Sequence, residues 1–319
     1  MKNNFFYLFF FCAFFATMLL CFTSCSDFFK NDYTDNSPTS GKLKVYFDDG
    51  LDAQVRNQAA TFESQYSQVR VDLYPCSESD AVQALYSDSC QSIVISRLLS
   101  EDEKRSFASK DFFPRYSAVA KSGVALLTNV NSAVTKLSYN QVIELLTKPF
   151  TVKDSAGTNI TLNVIFDKNN SSVTHYLKDS VLKGQSFSRN CNILGSCIES
   201  INFVALNKNT VAFVDYACIS DVDDSLYKAN KNKISFICIS AKNDSVYEYP
   251  DQSSFKLNTY PFTRTIYVYR KTGDFTLAKG FESYVAGPKG QLTFLKQGLL
   301  PTRQAERKVE INTRPLSHE

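Results

Sequence analysis

Residues 162–177 read LNVIFDKNNSSVTHYL. Leu162–Phe166 is an apolar run of strand length. Asp167-Lys168-Asn169-Asn170 is rich in residues that bend the chain and bond their own backbone. Ser171 and Ser172 then open a helix. A serine hydroxyl there accepts from a first-turn N–H that has no partner within the helix. The remaining first-turn N–H groups and the positive end of the helix dipole favour an anion or an oxygen-rich ligand. Alone, the stretch reads equally as a capped helix and nothing more. Its weight depends on whether strand, turn and helix recur.

They recur three times upstream. Lys42–Phe47 (KLKVYF) alternates as a strand, Asp48-Asp49-Gly50-Leu51-Asp52 turns, and a helix runs from Ala53 to Tyr66. Val69–Tyr74 is a second strand, followed by the turn Pro75–Asp80 and a helix over Asp80–Tyr86. Ser92–Ser96 is a short buried strand; Arg97 follows it, and Ser100 with Glu103 forms a capping box. This order predicts an α/β protein with largely parallel sheets and helical crossovers. In such sheets ligands bind beyond the carboxyl ends of the strands. The candidate ligand-binding residues are therefore Asp48, Asp49, Gly50, Ser77, Glu78, Ser79, Ser96, Arg97, Asp167, Asn170, Ser171 and Ser172.

The rest is coarser. Ser117–Thr128 is extended, Asn131–Leu137 a loop, and Ser138 caps a helix with the stripe Val142, Leu145, Leu146. Asn202–Leu206, Val211–Ala217 and Ile234–Ile239 are short strands or strand–helix pieces, and Ala241–Lys256 a loop. Arg264–Tyr269 is a strand, Phe275–Ala286 an amphipathic helix, Gly290–Leu300 a helix opened by Gly290, and Val309–Ile311 a last short strand.

Residues 1–24 hold one charge, Lys2, before a nearly unbroken apolar run from Phe5 to Leu20. This reads as a secretion signal rather than part of the fold, with a membrane anchor as the alternative. Ser24-Cys25 resembles the bacterial lipobox, which implies lipidation at Cys25; Phe22 departs from the usual aliphatic residue. Residues 25–41 form a polar tether, and Ser26-Asp27 with Asp32 and Asp35 resembles the acidic tags of Bacteroidetes surface lipoproteins. The expected location is the cell envelope, facing periplasm or cell surface. Six cysteines follow Cys25, an even number that permits disulfides in an exported chain, with the pairing left open. There is no Cys-x-x-Cys and only His175 and His318, so neither metal nor cofactor is expected. The net charge of +3 includes no basic run, which excludes nucleic acid as a partner.

Two longer passages resemble PstS-like phosphate-binding proteins. Ser117–Pro149 (SAVAKSGVALLTNVNSAVTKLSYNQVIELLTKP) is similar to their first inter-lobe crossing. Tyr260-Pro261-Phe262-Thr263-Arg264, Tyr267-Val268-Tyr269, Gly290-Gln291 and Gly298-Leu299-Leu300-Pro301 are similar to their return crossing and closing helices. The resemblance covers residues 42–312. It implies a class II periplasmic-binding fold: two lobes with mixed sheets and flanking helices, joined by two hinge strands. Lobe 1 would be 42–121 plus 260–319, and lobe 2 would be 122–259. It also implies a monomeric, non-enzymatic protein that captures phosphate or another small oxyanion for an ABC permease.

The family's site residues are altered here. Its glycine-rich first turn is Asp48-Asp49-Gly50-Leu51, and its second turn is Ser77-Glu78-Ser79. Its Ser-Asp is Ser96-Arg97, and its Arg-x-x-x-Ser-Gly-Thr is Asp167 with Ser171-Ser172-Val173. An exchange of charges follows, in which Arg97 and Asp167 are expected to pair across the cleft. The added acids favour an alternative: an interaction or scaffold lipoprotein that kept the fold and lost phosphate. A hydrolase built on Ser171 and His175 lacks both an orienting acid and a Gly-x-Ser-x-Gly elbow.

Overall fold

The computed structural model describes residues 37–154, 156–241, 246–271 and 273–303. The signal segment, Cys25, most of the tether and Val309–Ile311 lie outside them. No helix of the described residues is long and apolar enough to cross a membrane.

The strands, in chain order, are β1 (Gly41–Asp48), β2 (Val69–Cys76), β3 (Ser92–Ile95), β4 (Arg115–Asn129), β5 (Lys136–Ser138), β6 (Thr151–Lys153), β7 (Asn159–Thr161), β8 (Asn163–Phe166), β9 (Cys191–Ile193), β10 (Thr210–Asp215), β11 (Ile234–Phe236), β12 (Cys238–Ser240), β13 (Tyr247–Glu248), β14 (Thr263–Arg270) and β15 (Leu300–Pro301). The main sheet runs β2-β1-β3-β14-β4-β10-β8-β9, with β11 and β15 added alongside β4. β1 pairs in parallel with β2 and β3, and β8 in parallel with β10 and β9. Between these two parallel halves, β14 and β4 run antiparallel. The expected α/β architecture with mixed sheets is present.

β4 joins the halves. Its first part, Arg115–Gly123, pairs with β14, and its continuation, Val124–Thr128, pairs with β10. Fifteen residues at about 3.4 Å each give roughly 50 Å of strand, enough to cross from one half to the other without a loop. β3 and β10 are buried at every position, as central strands covered on both faces must be.

Local chemistry sets the elements. Ser100 with Glu103 and Ser138 with Gln141 both form complete capping boxes. Val142, Leu145 and Leu146 face the core together. Ala241–Lys256 is not one loop: its described part carries β13 and the start of the helix Gln252–Leu257, capped by Asp251. The last helix of the described residues begins at Pro288, two residues before Gly290, because proline suits the first helical turn, where no N–H is needed.

Candidate functional site

The carboxyl ends of β1, β3, β8 and β10 meet along the line where the two halves touch. β1 ends at Asp48, which is buried. Its side chain accepts from Gly50 N at 3.2 Å and faces Ser96 Oγ at 3.5 Å. From the other half, the Ser172 hydroxyl also bonds the Asp48 carboxylate. Glu78, buried at the start of the helix after β2, accepts from Ser96 N at 2.7 Å. Burial, then the nearby charge of Glu78, push the Asp48 carboxyl well above the usual carboxylate range.

The cation facing these acids is Arg264, near the start of β14. Its guanidinium pairs with Asp215, and the two side chains are 2% and 1% exposed. Asp215 also accepts from Ser122 Oγ and Ala217 N, both at 2.9 Å. Arg264 Nε is buried and has no hydrogen-bond partner. Burial works against its charge, but Asp215, Asp48 and Glu78 outweigh it and hold the guanidinium protonated. The floor of the cleft thus contains three carboxylates around one central guanidinium. Gly50 is closely packed at this point: a Cβ there would lie a tight 3.3 Å from the Asp215 Cβ and an ordinary 3.5 Å from Asp48 Oδ1.

Asp167 lies at the other side of the cleft, buried, bonded to the Ser171 hydroxyl and to Lys168 N. Burial raises its carboxyl. Lys168 and Asp49 form an ion pair that bridges the halves above the floor. Ser171 caps the five-residue helix Ser172–Tyr176, and Thr174 N already donates to it.

Arg97 and Asp167 do not form the expected pair. Arg97 grips Glu103 bidentately, at 2.7 and 2.8 Å, and approaches Glu78 at 3.2 Å. The reason is local: Glu103 belongs to the capping box just downstream, well within reach of Arg97, so the guanidinium fork is taken by a carboxylate of its own half. Of the predicted site residues, the structure brings together Asp48, Asp49, Gly50, Glu78, Ser96, Asp167, Ser171 and Ser172. Ser79 and Asn170 are exposed, and Ser77 serves as a cap, bonded to Asp80. Arg264, Asp215, Ser122 and Lys168 were missed. Asp215 had a signal, as the lone charge at the end of the strongly apolar β10, and Arg264 a weaker one, as a charge opening a strand that Arg270 closes.

A cavity of about 510 Å³ opens beside the floor, lined among others by Asp49, Asp167, Lys168, Cys197, Cys218 and Leu226. No group of His, Cys, Asp and Glu among the described residues is arranged to hold a metal ion.

A two-half α/β fold with polar strand ends converging on an inter-half cleft is the architecture of the periplasmic-binding class. Residues 34–289 match the family model of the PBP superfamily domain, the periplasmic binding proteins, and the chain belongs to that family. Among solved structures it is similar to a putative phosphate ABC transporter substrate-binding protein with bound phosphate from Clostridium perfringens (15% identity, TM-score 0.66, covering 82% of this chain and all of that one). It is also similar to an ABC-type phosphate transport receptor from Vibrio cholerae (14%, TM-score 0.63, 82% and 100%). A third is a possible phosphate binding protein from Planctomyces limnophilus (14%, TM-score 0.58, 83% and 94%). No curated protein matches the chain by sequence.

Proposed function

We propose that the chain is an extracytoplasmic solute-binding lipoprotein, anchored through Cys25, that captures phosphate or a related small oxyanion between its two lobes and passes it to an ABC permease. The observation that carries this reading is the donor ring around Asp48: Gly50 N–H, Ser96 OH and, from across the cleft, Ser172 OH point to one carboxylate. Donors from both halves directed at one anionic group are what an oxyanion site requires. The likeness to phosphate-binding structures supports the same reading. The ligand takes the place of the Asp48 carboxylate or accepts the proton that Asp48 carries. An ionised Asp48 facing a ligand anion at about 4 Å costs about 4 kcal/mol at an effective dielectric near 20, so affinity falls as pH rises.

A specific observation favours a second reading. Asp48, Glu78 and Asp215 already occupy the cleft's donors, and Arg97 is taken by Glu103. A scaffold lipoprotein that kept the fold and lost phosphate would look the same. Calorimetry of phosphate with protein unfolded and refolded to strip bound ligand separates the two. Saturable 1:1 binding that tightens from pH 8 to pH 5.5 supports capture. A folded protein that produces no heat at either pH overturns it in favour of the scaffold.

A further inference from the structure

Cys197 opens the helix Cys197–Leu206, and Cys218 closes the single turn that follows β10. Their side chains are hydrogen-bonded to each other, and both lie in the wall of the 510 Å³ cavity. Cys218 Sγ also contacts the carbonyl of Gly50, in the opposite half, at 3.5 Å. Cys191, the nearest cysteine in sequence, faces the carbonyl of Leu146 instead. Spatial adjacency thus selects a partner that sequence proximity does not.

We propose that Cys197 and Cys218 form a redox pair whose oxidation to a disulfide staples the cleft wall within one half and removes the thiol hydrogen by which Cys218 holds Gly50 in the other. The oxidant is a small-molecule or protein disulfide. One cysteine thiolate attacks it, the second displaces the mixed disulfide, and the two thiols give up two electrons and two protons as the oxidant becomes two thiols. Burial holds the Cys197 thiol up although its bond to Cys218 lowers it, and the bond to Cys197 together with burial holds the Cys218 thiol well up, so exchange is slow at neutral pH and quickens with alkali. The bond closes a loop spanning residues 197–218 and constrains the unfolded chain accordingly.

The experiment reads the thiols directly and needs no solute ligand, so it stands apart from the phosphate reading. The full chain is equilibrated with oxidised glutathione, or with dithiothreitol as the control. Free thiols are then alkylated, and the protein is digested without reduction for mass spectrometry. A cross-linked peptide pair containing Cys197 and Cys218, present only after oxidation, is the expected result. The oxidised protein should also melt several degrees higher than the reduced one, and the Cys197→Ala, Cys218→Ala double variant should lose that oxidant-dependent shift. Alkylation of both residues after oxidation overturns the proposal. A Cys191–Cys197 cross-link overturns it, as does an undiminished shift in the double variant.

Discussion

Two arginines six residues apart on β14 show two uses of a buried charge. Arg270 and Arg264 each have side chains 2% exposed, and each has a buried carboxylate partner. Around Arg270 the groups match. Nε donates to Glu282 at 2.6 Å, Nη1 to the carbonyls of Lys271 and Gly273, and Nη2 to Asp274. Glu282 in turn takes Ser117 Oγ and Lys279. Around Arg264 they do not match: one nitrogen has no partner, and three carboxylates crowd one guanidinium. Donors and acceptors balance where the protein only has to hold together. Where the halves meet, the polar groups are left in surplus, which is what a site that exchanges partners needs.

Glu282→Ala strips Arg270 of its main partner in a buried setting and should cost about 3–5 kcal/mol, read from the urea midpoint. Asp215→Ala should cost clearly less, because Arg264 still faces Asp48 and Glu78. Equal losses would mean that the two arginines are used alike.

A smaller effect sharpens the contrast through pH. The Asp48 carboxyl sits above its ordinary range, so it binds its proton more readily in the folded chain. Its contribution to stability is full below the ordinary carboxylate value and is lost as pH rises through the raised one. Glu282 is held below the usual range: burial opposes its charge, but bonds from Ser117, Arg270 and Lys279 outweigh it. Its contribution is therefore present at neutral pH and lost on acidification. Asp48→Asn should stabilise the protein at pH 7 by on the order of 1 kcal/mol through relief of like-charge repulsion and flatten the neutral side of the stability profile. Glu282→Gln should flatten the acid side. Denaturant titrations from pH 4 to pH 8 would show either variant acting on the wrong side.

The smallest effect concerns Arg97. It is 30% exposed and held by Glu103 and Glu78, so Arg97→Ala should cost about 1 kcal/mol or less. The double change Arg97→Asp with Asp167→Arg should bring no gain in phosphate affinity by calorimetry. A gain would restore the charge-exchange idea.

Much of this molecule was legible in its sequence. Repeated strand–turn–helix units, a capping box at Ser100 and the alternation of Arg264–Tyr269 are local signals, and the local backbone obeys them. The convergence of Asp48, Ser96, Asp167 and Ser172 followed from the rule that turns leave a parallel sheet on one side. What escaped was choice among partners. Arg97 had Glu78, Glu103 and Asp167 available, and sequence does not give distances between chain segments. Asp215 lay inside an apolar run read for its strand alone. Arg264 stood in a family motif without a role, because its chemistry appears only when β14 is placed between β3 and β4, which brings it within reach of Asp215 on β10 and Asp48 on β1.

β4 carries one more consequence. A loop between the halves would absorb relative rotation as slack. A continuous strand cannot, because every residue from Arg115 to Asn129 except Val119, at a bulge in the β14 pairing, is paired with a neighbouring strand. The amide of Val124, bonded to the carbonyl of Phe262 at 3.0 Å, sits where pairing passes from β14 to β10. Any turning of one half against the other is therefore delivered as torsion at Gly123–Val124, and the chain acts there as a spring rather than a string.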